Sequence, residues 1–339
     1  MIILSNCLTD VVDEGGLKVA TSLAKRIKQA DERVTVVTFR RHSKLSDLHL
    51  NINKLLLSKD LFRLLRTHRE PVLYLPFPTR TLPTALRIFL LSHMSREPVN
   101  VVLTITSQYN WLGRLLMRMN RAHLVALSAQ SARFYADMVG QDRVTYLKSG
   151  VDTKRFTPVT PEYQAELKKK YGLDPAKKTI LHVGHMKEGR NVAELMKLDS
   201  CYQALLVVST FTSPEQDLQL RERIEACENI KVIDQYIPNI EEIYQLSDAY
   251  FFPVLEQGNC IDIPLSCLEA AACGKPVITT QYGEMAEFVG KPGFYFLQSM
   301  DSSEINQLVD RAVSETECQA RGAVMDYDWD HAVQTLLVK

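Results

Sequence analysis

A chain of 339 residues that is 46% hydrophobic and 24% charged has material for two globular domains, and its apolar content excludes a disordered protein. Seven cysteines scattered singly, with no Cys-x-x-Cys pair, favour reduced thiols in a cytoplasm over a disulfide framework or a zinc site. The net charge of zero hides a division: up to Gly150 there are 22 Lys/Arg against 11 Asp/Glu, and beyond it 18 against 29, so one half is suited to an anionic surface or substrate.

In chain order, the opening Met1-Ile2-Ile3-Leu4-Ser5-Asn6 lacks a basic segment and a cleavage site, and is read as a first core strand and not a signal peptide. Short β-branched runs follow at 34–39, 72–75, 99–105, 124–128 and 144–147. A second set lies at 179–183, 204–209, 230–233, 249–253, 276–280 and 294–297. Near-continuous apolar strands alternating with amphipathic helices predict parallel sheets covered on both faces, hence two doubly wound α/β domains. The apolar run 82–94 carries Arg87 and is too short to span a bilayer. Gly150 and Pro158, around a charged turn, interrupt the periodicity, so the boundary is drawn at 155/156. The second domain then covers 156–321, and a last helix over about 322–339 crosses back to pack on the first. In such sheets ligands bind beyond the carboxyl ends of the strands. Two facing sheets would place two ligands in one cleft.

Several residues along this frame can carry chemistry. Gly15-Gly16 opens the helix after the first strand, where paired glycines let backbone amides approach an anion, or simply make a strand–helix turn. The loop Gly184-His185-Met186-Lys187-Glu188-Gly189-Arg190 groups three potentially cationic side chains at the edge of a strand, suited to a diphosphate leaving group. Asn191 is expected to cap the helix that follows. Farther on, a helix is expected to start at about Pro264 and to end at Gly274. Glu269 lies in it among Leu, Ala and Cys, and a carboxylate there needs donors such as ribose hydroxyls unless it faces solvent.

These pieces together carry a resemblance. Glu14-Gly15-Gly16, Ser149-Gly150-Val151-Asp152 with Phe156, Val183-Gly184 through Arg190, Ser247-Asp248, Leu268-Glu269-Ala270-Ala271-Ala272-Cys273-Gly274-Lys275-Pro276-Val277, Gly283, Glu287 and Tyr327-x-Trp329 follow one another as in a known family. The chain resembles the group 1, glycogen-synthase-like, retaining glycosyltransferases of the GT-B fold over essentially its whole length. The resemblance implies two Rossmann-like domains facing each other across a cleft, with a UDP- or GDP-sugar held by the C-terminal one. The acceptor, a lipid-linked or cell-surface glycan, would lie on the N-terminal one, and no metal or other cofactor and no nucleic acid are implied.

Carried over residue by residue, Glu269 would hold the nucleotide ribose, and Arg190, with His185 or Lys187, would stabilise the departing diphosphate. Gly16, Gly15 and Gly184 would approach the phosphates, as would the amides of Leu265 and Ser266 next to Ile263 and Pro264. The base would meet backbone around Tyr236 and Ile237. The sequence departs from the family at three places. Ile261 stands where the first Glu of the family motif belongs, and the adjacent Asp262 is the candidate to contact the donor sugar. His185 replaces a clamp Arg, which makes one cation pH-dependent. Thr106 or Ser107 stands where the family has a His, on the acceptor side. The alternatives kept open are a nucleotide-sugar epimerase or hydrolase on the same fold, and a non-catalytic nucleotide-sugar-binding subunit.

The basic excess of the N-terminal half adds one expectation. Arg114, Arg118 and Arg121 share a face of a helix from about Tyr109, accompanied by Trp111, Leu115 and Met119. Arg63, Arg66 and Arg69 recur on a helix over 59–68 with Phe62, Leu64 and Leu65. Basic faces beside apolar ones suit an anionic membrane surface; the alternative is that Trp111 and the leucines are core and the arginines a solvated rim. Two such helices in one domain favour the surface, so a cytoplasmic enzyme peripheral to the inner face of the membrane is expected, with Arg114 and Arg118 on the acceptor side.

Overall fold

The computed structural model describes every residue except 11–13, 54–57, 80, 107, 210–216, 316–317 and 338–339. It contains two wholly parallel sheets. The first has the order β3-β2-β1-β4-β5-β6-β7, from β1 (Ile2–Ser5), β2 (Thr35–Thr38), β3 (Leu48–His49), β4 (Val72–Leu75), β5 (Val99–Leu103), β6 (His123–Ala126) and β7 (Val144–Tyr146). The second has the order β10-β9-β8-β11-β12-β13, from β8 (Lys178–Gly184), β9 (Tyr202–Val208), β10 (Ile230–Ile233), β11 (Ala249–Phe252), β12 (Val277–Thr279) and β13 (Phe294–Phe296). Twelve of the thirteen strands fall on predicted runs. The two-residue edge strand β3 was not anticipated, because Leu48–His49 is exposed and has no apolar run to announce it.

The central strands are buried on both sides, as at β1 and at every residue of β9. That is why their sequences read as continuous apolar runs instead of alternating ones.

The chain divides into two compact units. The first takes in Met1–Ser149, Ile261–Ile263 and Trp329–Lys339, and the second Gly150–Cys260 and Pro264–Asp328. The division at Ser149 falls ahead of the expected 155/156. The return falls at Trp329, later than the expected 322, because the helix Ala320–Val324 packs on the helix Leu265–Ala272 of the second unit. In the first unit the final helix, Trp329–Leu337, lies against the helix Gly15–Ala30, with Arg26 donating to Asp330.

The Ser247-Asp248 pair has a structural explanation within the second unit. Asp248 Oδ2 accepts from the buried Lys168 ammonium at 2.6 Å and from the Thr179 amide at 2.9 Å. Burial alone would raise its pKa, but the bond and charge of Lys168 outweigh it and hold the carboxyl below the usual range.

Candidate functional site

In the second unit the strand order reverses between β8 and β11, and the loops after these two strands carry most of the expected site. They are tied together by Asn191, which adopts a left-handed backbone (φ 53°) and donates from its side chain to the Pro253 carbonyl at 2.9 Å. This corrects the expected capping role: the 3-10 turn Val192–Lys197 that follows receives no side-chain cap from Asn191. Asparagine tolerates the left-handed region better than other side chains with a Cβ.

β8 ends at Gly184. A methyl group there would sit 3.1 Å from His182 Nε2 and 3.6 Å from Arg190 Nη1, so the glycine leaves a small gap shared by these two side chains. His182 is fully buried and donates from Nδ1 to the Phe251 carbonyl at 2.8 Å, which leaves Nε2 as a lone-pair acceptor without a partner. Burial pushes its pKa down to about 4; the Phe251 bond opposes that shift and the nearby Arg190 charge adds to it.

Arg190 is half-buried, and no carboxylate pairs with it among the described residues. Its charge also reaches Tyr250 and Cys267, whose pKa values it lowers against the larger effect of burial. The loop cation therefore lies close to the amino end of the helix Leu265–Ala272. Pro264 precedes that helix and supplies no side-chain cap, and the amides of Leu265 and Ser266 have no acceptor among the described residues. Gly184 thus adjoins Arg190, whose charge is felt at Cys267 in the first turn of the helix with the uncapped Leu265 and Ser266 amides; a cation and free amides are the chemistry that a phosphate oxyanion needs. His185 is half-buried and Lys187 exposed on the same loop.

Glu269 lies one turn along the helix. It is buried, at 2% exposure, which overturns the alternative of a solvent-facing carboxylate. The buried Tyr244 hydroxyl donates to it, and burial together with the Glu269 charge raises the Tyr244 pKa well above its usual value. Tyr236 is exposed and Ile237 half-buried on the loop after β10.

In the first unit the strand order reverses between β1 and β4. Asn6 joins the loops after both strands: its Nδ2 donates to the Phe77 carbonyl at 2.6 Å, and the Phe77 amide returns a bond to its Oδ1 at 3.1 Å. Gly15 and Gly16 begin the adjacent helix. A Cβ on Gly16 would lie 2.4 Å from the Phe77 ring, and one on Gly15 would lie 3.0 Å from Ile261. Packing by Phe77 and Ile261 alone therefore accounts for the absence of side chains at the pair.

Asp262, expected at the donor sugar, is placed with Thr106, expected on the acceptor side, a pairing that the sequence did not suggest, and the carboxylate is enclosed. Its Oδ2 accepts from the Thr106 hydroxyl at 2.8 Å and from the Ser131 hydroxyl, while Ser128 donates to Ser131 at 2.8 Å. The Asp262 amide donates to the Thr104 carbonyl at 2.9 Å, pinning residues 261–263 beside the end of β5. Burial raises the Asp262 pKa, and the Ser131 and Thr106 bonds only partly offset that. Ile263 is wholly buried. Ser107 lies outside the described residues. Arg114 and Arg118 are exposed on the helix Trp111–Met119.

Sequence reasoning missed His182, Ser131 and Tyr244. Only Ser131 left a signal, the Ser128-x-x-Ser131 spacing of a helix start, in which the Ser131 amide donates to Ser128.

Comparison with known proteins bears on this geometry. Residues 177–315 match the family model described as Glycosyl transferases group 1. This part of the chain is therefore similar to a group 1 glycosyltransferase domain. It contains Gly184, His185, Lys187, Arg190, Tyr236, Ile237, Leu265, Ser266 and Glu269. Over 214 residues the chain is 30% identical to the lipopolysaccharide core biosynthesis mannosyltransferase LpsB of Rhizobium meliloti, covering 59% of this chain and 57% of that protein. The chain thus spans a little over half the length of this curated relative.

A glycosyltransferase from Rickettsia africae superposes with a TM-score of 0.80 at 17% identity, covering 99% of this chain and 97% of the other. HepE of Anabaena, solved in complex with UDP, gives 0.78 at 14% identity, covering 99% and 98%. With the two parallel sheets, these similarities make the architecture GT-B.

Proposed function

We propose that the protein is a retaining, nucleotide-sugar-dependent glycosyltransferase that moves a hexosyl unit from a UDP- or GDP-sugar to a lipid-linked or cell-surface glycan acceptor. The observation that carries the reading is Arg190, a half-buried cation without a carboxylate partner among the described residues, beside Gly184 and the uncapped amides of Leu265 and Ser266. A diphosphate supplies the missing negative charge. That charge grows as the glycosidic bond breaks, so a fixed cation there stabilises the transition state more than the bound donor.

His185 or Lys187 assists Arg190, and Glu269 holds the ribose hydroxyls. Tyr236 and Ile237 offer backbone to the base. The departing phosphate oxygen takes the acceptor proton, so no dedicated base and no metal are required. Asp262, held by Thr106 and Ser131, positions residues 261–263 on the acceptor-binding unit. LpsB, named a lipopolysaccharide core mannosyltransferase, supports the class of reaction, while a Corynebacterium glutamicum relative named GDP-mannose-dependent and HepE, solved with UDP, leave both donors in play.

The test is a thermal-shift series with UDP, GDP and ADP and their sugars, followed by turnover of the stabilising donor as a radiolabelled sugar with glycolipid acceptors. At 100 times its Kd the cognate nucleotide adds about 2.7 kcal/mol of stability. Stabilisation with sugar release but no transfer to any acceptor would favour an epimerase or hydrolase. Stabilisation without turnover would favour a binding subunit, a reading to which Ile261 in place of a carboxylate lends weight.

A further inference from the structure

The helix Trp111–Met119 in the first unit turns a large apolar surface away from the core. Asn110 caps it, accepting from the Gly113 amide at 2.9 Å, and Gly113 and Met117 face inward. Gly113 is held close to Tyr109: a Cβ there would meet it at 2.9 Å. At 100° per residue, Trp111 and Leu115 point nearly opposite to that buried face, with Leu112 and Met119 to one side and Arg114 and Arg118 to the other. Contrary to expectation, Arg121 does not share that helix face: the helix ends at Met119, Asn120 is extended, and Arg121 follows it, exposed, in the loop. Exposure follows the geometry: Trp111 is 76% exposed, Met119 53%, Leu115 45% and Leu112 37%.

The alternative left open by the sequence, that these apolar residues are core and the arginines a rim, is therefore overturned for this helix. It holds in large part for the other basic helix, Lys59–Thr67. There Leu61 and Leu65 are buried, Leu64 packs against the same core, and only Phe62 stands out, beneath the Arg66 guanidinium.

We propose that the Trp111–Met119 helix is an interfacial anchor that lies on an anionic lipid bilayer, sinking Trp111, Leu112, Leu115 and Met119 to the headgroup boundary while Arg114, Arg118 and Arg121 engage lipid phosphates. Charge complementarity selects this occupant. Between Glu97 and Asp137 the chain has no acidic residue, so no carboxylate of this stretch competes for the arginines. Arg114 spends one donor on the Tyr109 carbonyl at 3.2 Å and keeps the rest of its fork. A second copy of the chain is disfavoured, because a two-fold contact through this face would set the same three arginines against each other. An exposed tryptophan flanked by leucine, methionine and arginine is the composition of a helix lying in the plane of a membrane surface. No helix among the described residues is long and apolar enough to cross a membrane, so attachment by this face would be peripheral.

The inference does not rest on the donor reading, and it has its own reporter. The chain has two tryptophans, and Trp329 is buried at 2% exposure. In a Trp329→Phe chain, Trp111 emission should shift to the blue and be quenched by brominated acyl chains on adding vesicles in which about a third of the lipid is phosphatidylglycerol. Vesicles of phosphatidylcholine alone should leave it unchanged. Flotation of the otherwise natural chain should reproduce the preference, and the triple variant Trp111→Ser, Leu115→Ser, Met119→Ser should lose vesicle affinity by about tenfold or more.

The triple variant should keep its thermal midpoint and its shift with nucleotide, which separates loss of the anchor from loss of the donor site. An unmoved Trp111 on vesicle-bound protein, equal binding to neutral vesicles, or a blue shift that grows with protein concentration without lipid would each overturn the proposal; the last would assign the face to self-association.

Discussion

Arg190 and Asp262 sit on loops beside the carboxyl ends of parallel strands, one in each unit, and the fold treats their charges in opposite ways. Arg190 is left without a carboxylate among the described residues, next to amides that also lack acceptors. Asp262 is closed in by two hydroxyls, and its own amide is bonded to Thr104. An ion that the protein does not neutralise is set for a counter-ion that arrives with a ligand. An ion already supplied with donors is set to hold backbone in place. The contrast teaches that a residue's satisfaction, more than its charge, separates a binding group from a positioning group.

The sharpest way to break the comparison is Arg190→Ala. Turnover should fall on the order of 10²–10³ while donor KM changes little, as expected for a group that acts on charge developing in the transition state. A rise in KM alone, measured by steady-state kinetics, would make Arg190 a ground-state phosphate binder.

Acid titration probes the same neighbourhood. His182 has a folded pKa of about 4 against an unfolded value near 6.5, so the unfolded chain takes up its proton first as pH falls. Its contribution to stability is whole above about pH 6.5 and is lost progressively toward pH 4, by about 3 kcal/mol in all. Denaturant midpoints across that window should fall for the natural chain and flatten for His182→Phe. Asp262 contributes with the opposite sign: its raised pKa means that stability is gained as pH falls through its folded value and is complete below the unfolded one. A His182→Phe chain as acid-sensitive as the natural one would show that another group controls the window.

Glu269→Ala should weaken nucleotide binding by about 1.5–3 kcal/mol, roughly ten- to a hundred-fold, since a charge-assisted bond to ribose is lost. The buried Tyr244 hydroxyl loses its acceptor in the same variant, so calorimetric Kd values should be taken below its thermal midpoint. Unchanged affinity in the folded variant would confine Glu269 to supporting Tyr244.

Asp262→Asn should have the smallest effect, less than about tenfold on kcat, because a positioning carboxylate can be replaced by an amide that still accepts from a hydroxyl. A loss matching that of Arg190→Ala would put Asp262 on the donor sugar and erase the contrast.

How much of this was legible depends on what each feature needs from its surroundings. Strands buried on both faces write themselves as apolar runs, and even the partly exposed β7, β10 and β13 keep β-branched or aromatic residues, so twelve strands could be read directly, whereas β3 is exposed and left no trace. Arg190 could be found because loop position and charge are local properties. Asp262 could be named but not its surroundings, since Ser131 is brought to it by the fold and not by spacing. His182 reads as one more residue of a core strand until the Phe251 carbonyl is seen to take one ring nitrogen and leave the other. Asn191 misled for a related reason: asparagine before a helical turn suggests a cap, but its positive φ turns the side chain to Pro253. Trp111 and Leu115 could be read from the sequence either as core, where large apolar residues usually lie, or as part of an exposed face, and their solvent exposure on the helix separates the two cases.

The docking of Trp329–Leu337 on Gly15–Ala30 has a consequence for how the chain is made. The helix Gly15–Ala30 buries Leu17, Val19, Leu23 and Ile27, and part of what covers it is a helix synthesised only after the second unit. At translation rates of about 5–20 residues per second, the stretch from Ser149 to Trp329 takes roughly 10–40 s. Throughout that interval the first unit waits on the ribosome with a flank of this helix uncovered, while the second unit can fold as it emerges. The unit that begins the chain is thus the later of the two to be finished, and the nascent protein is most open to chaperones and to aggregation along the Gly15–Ala30 helix.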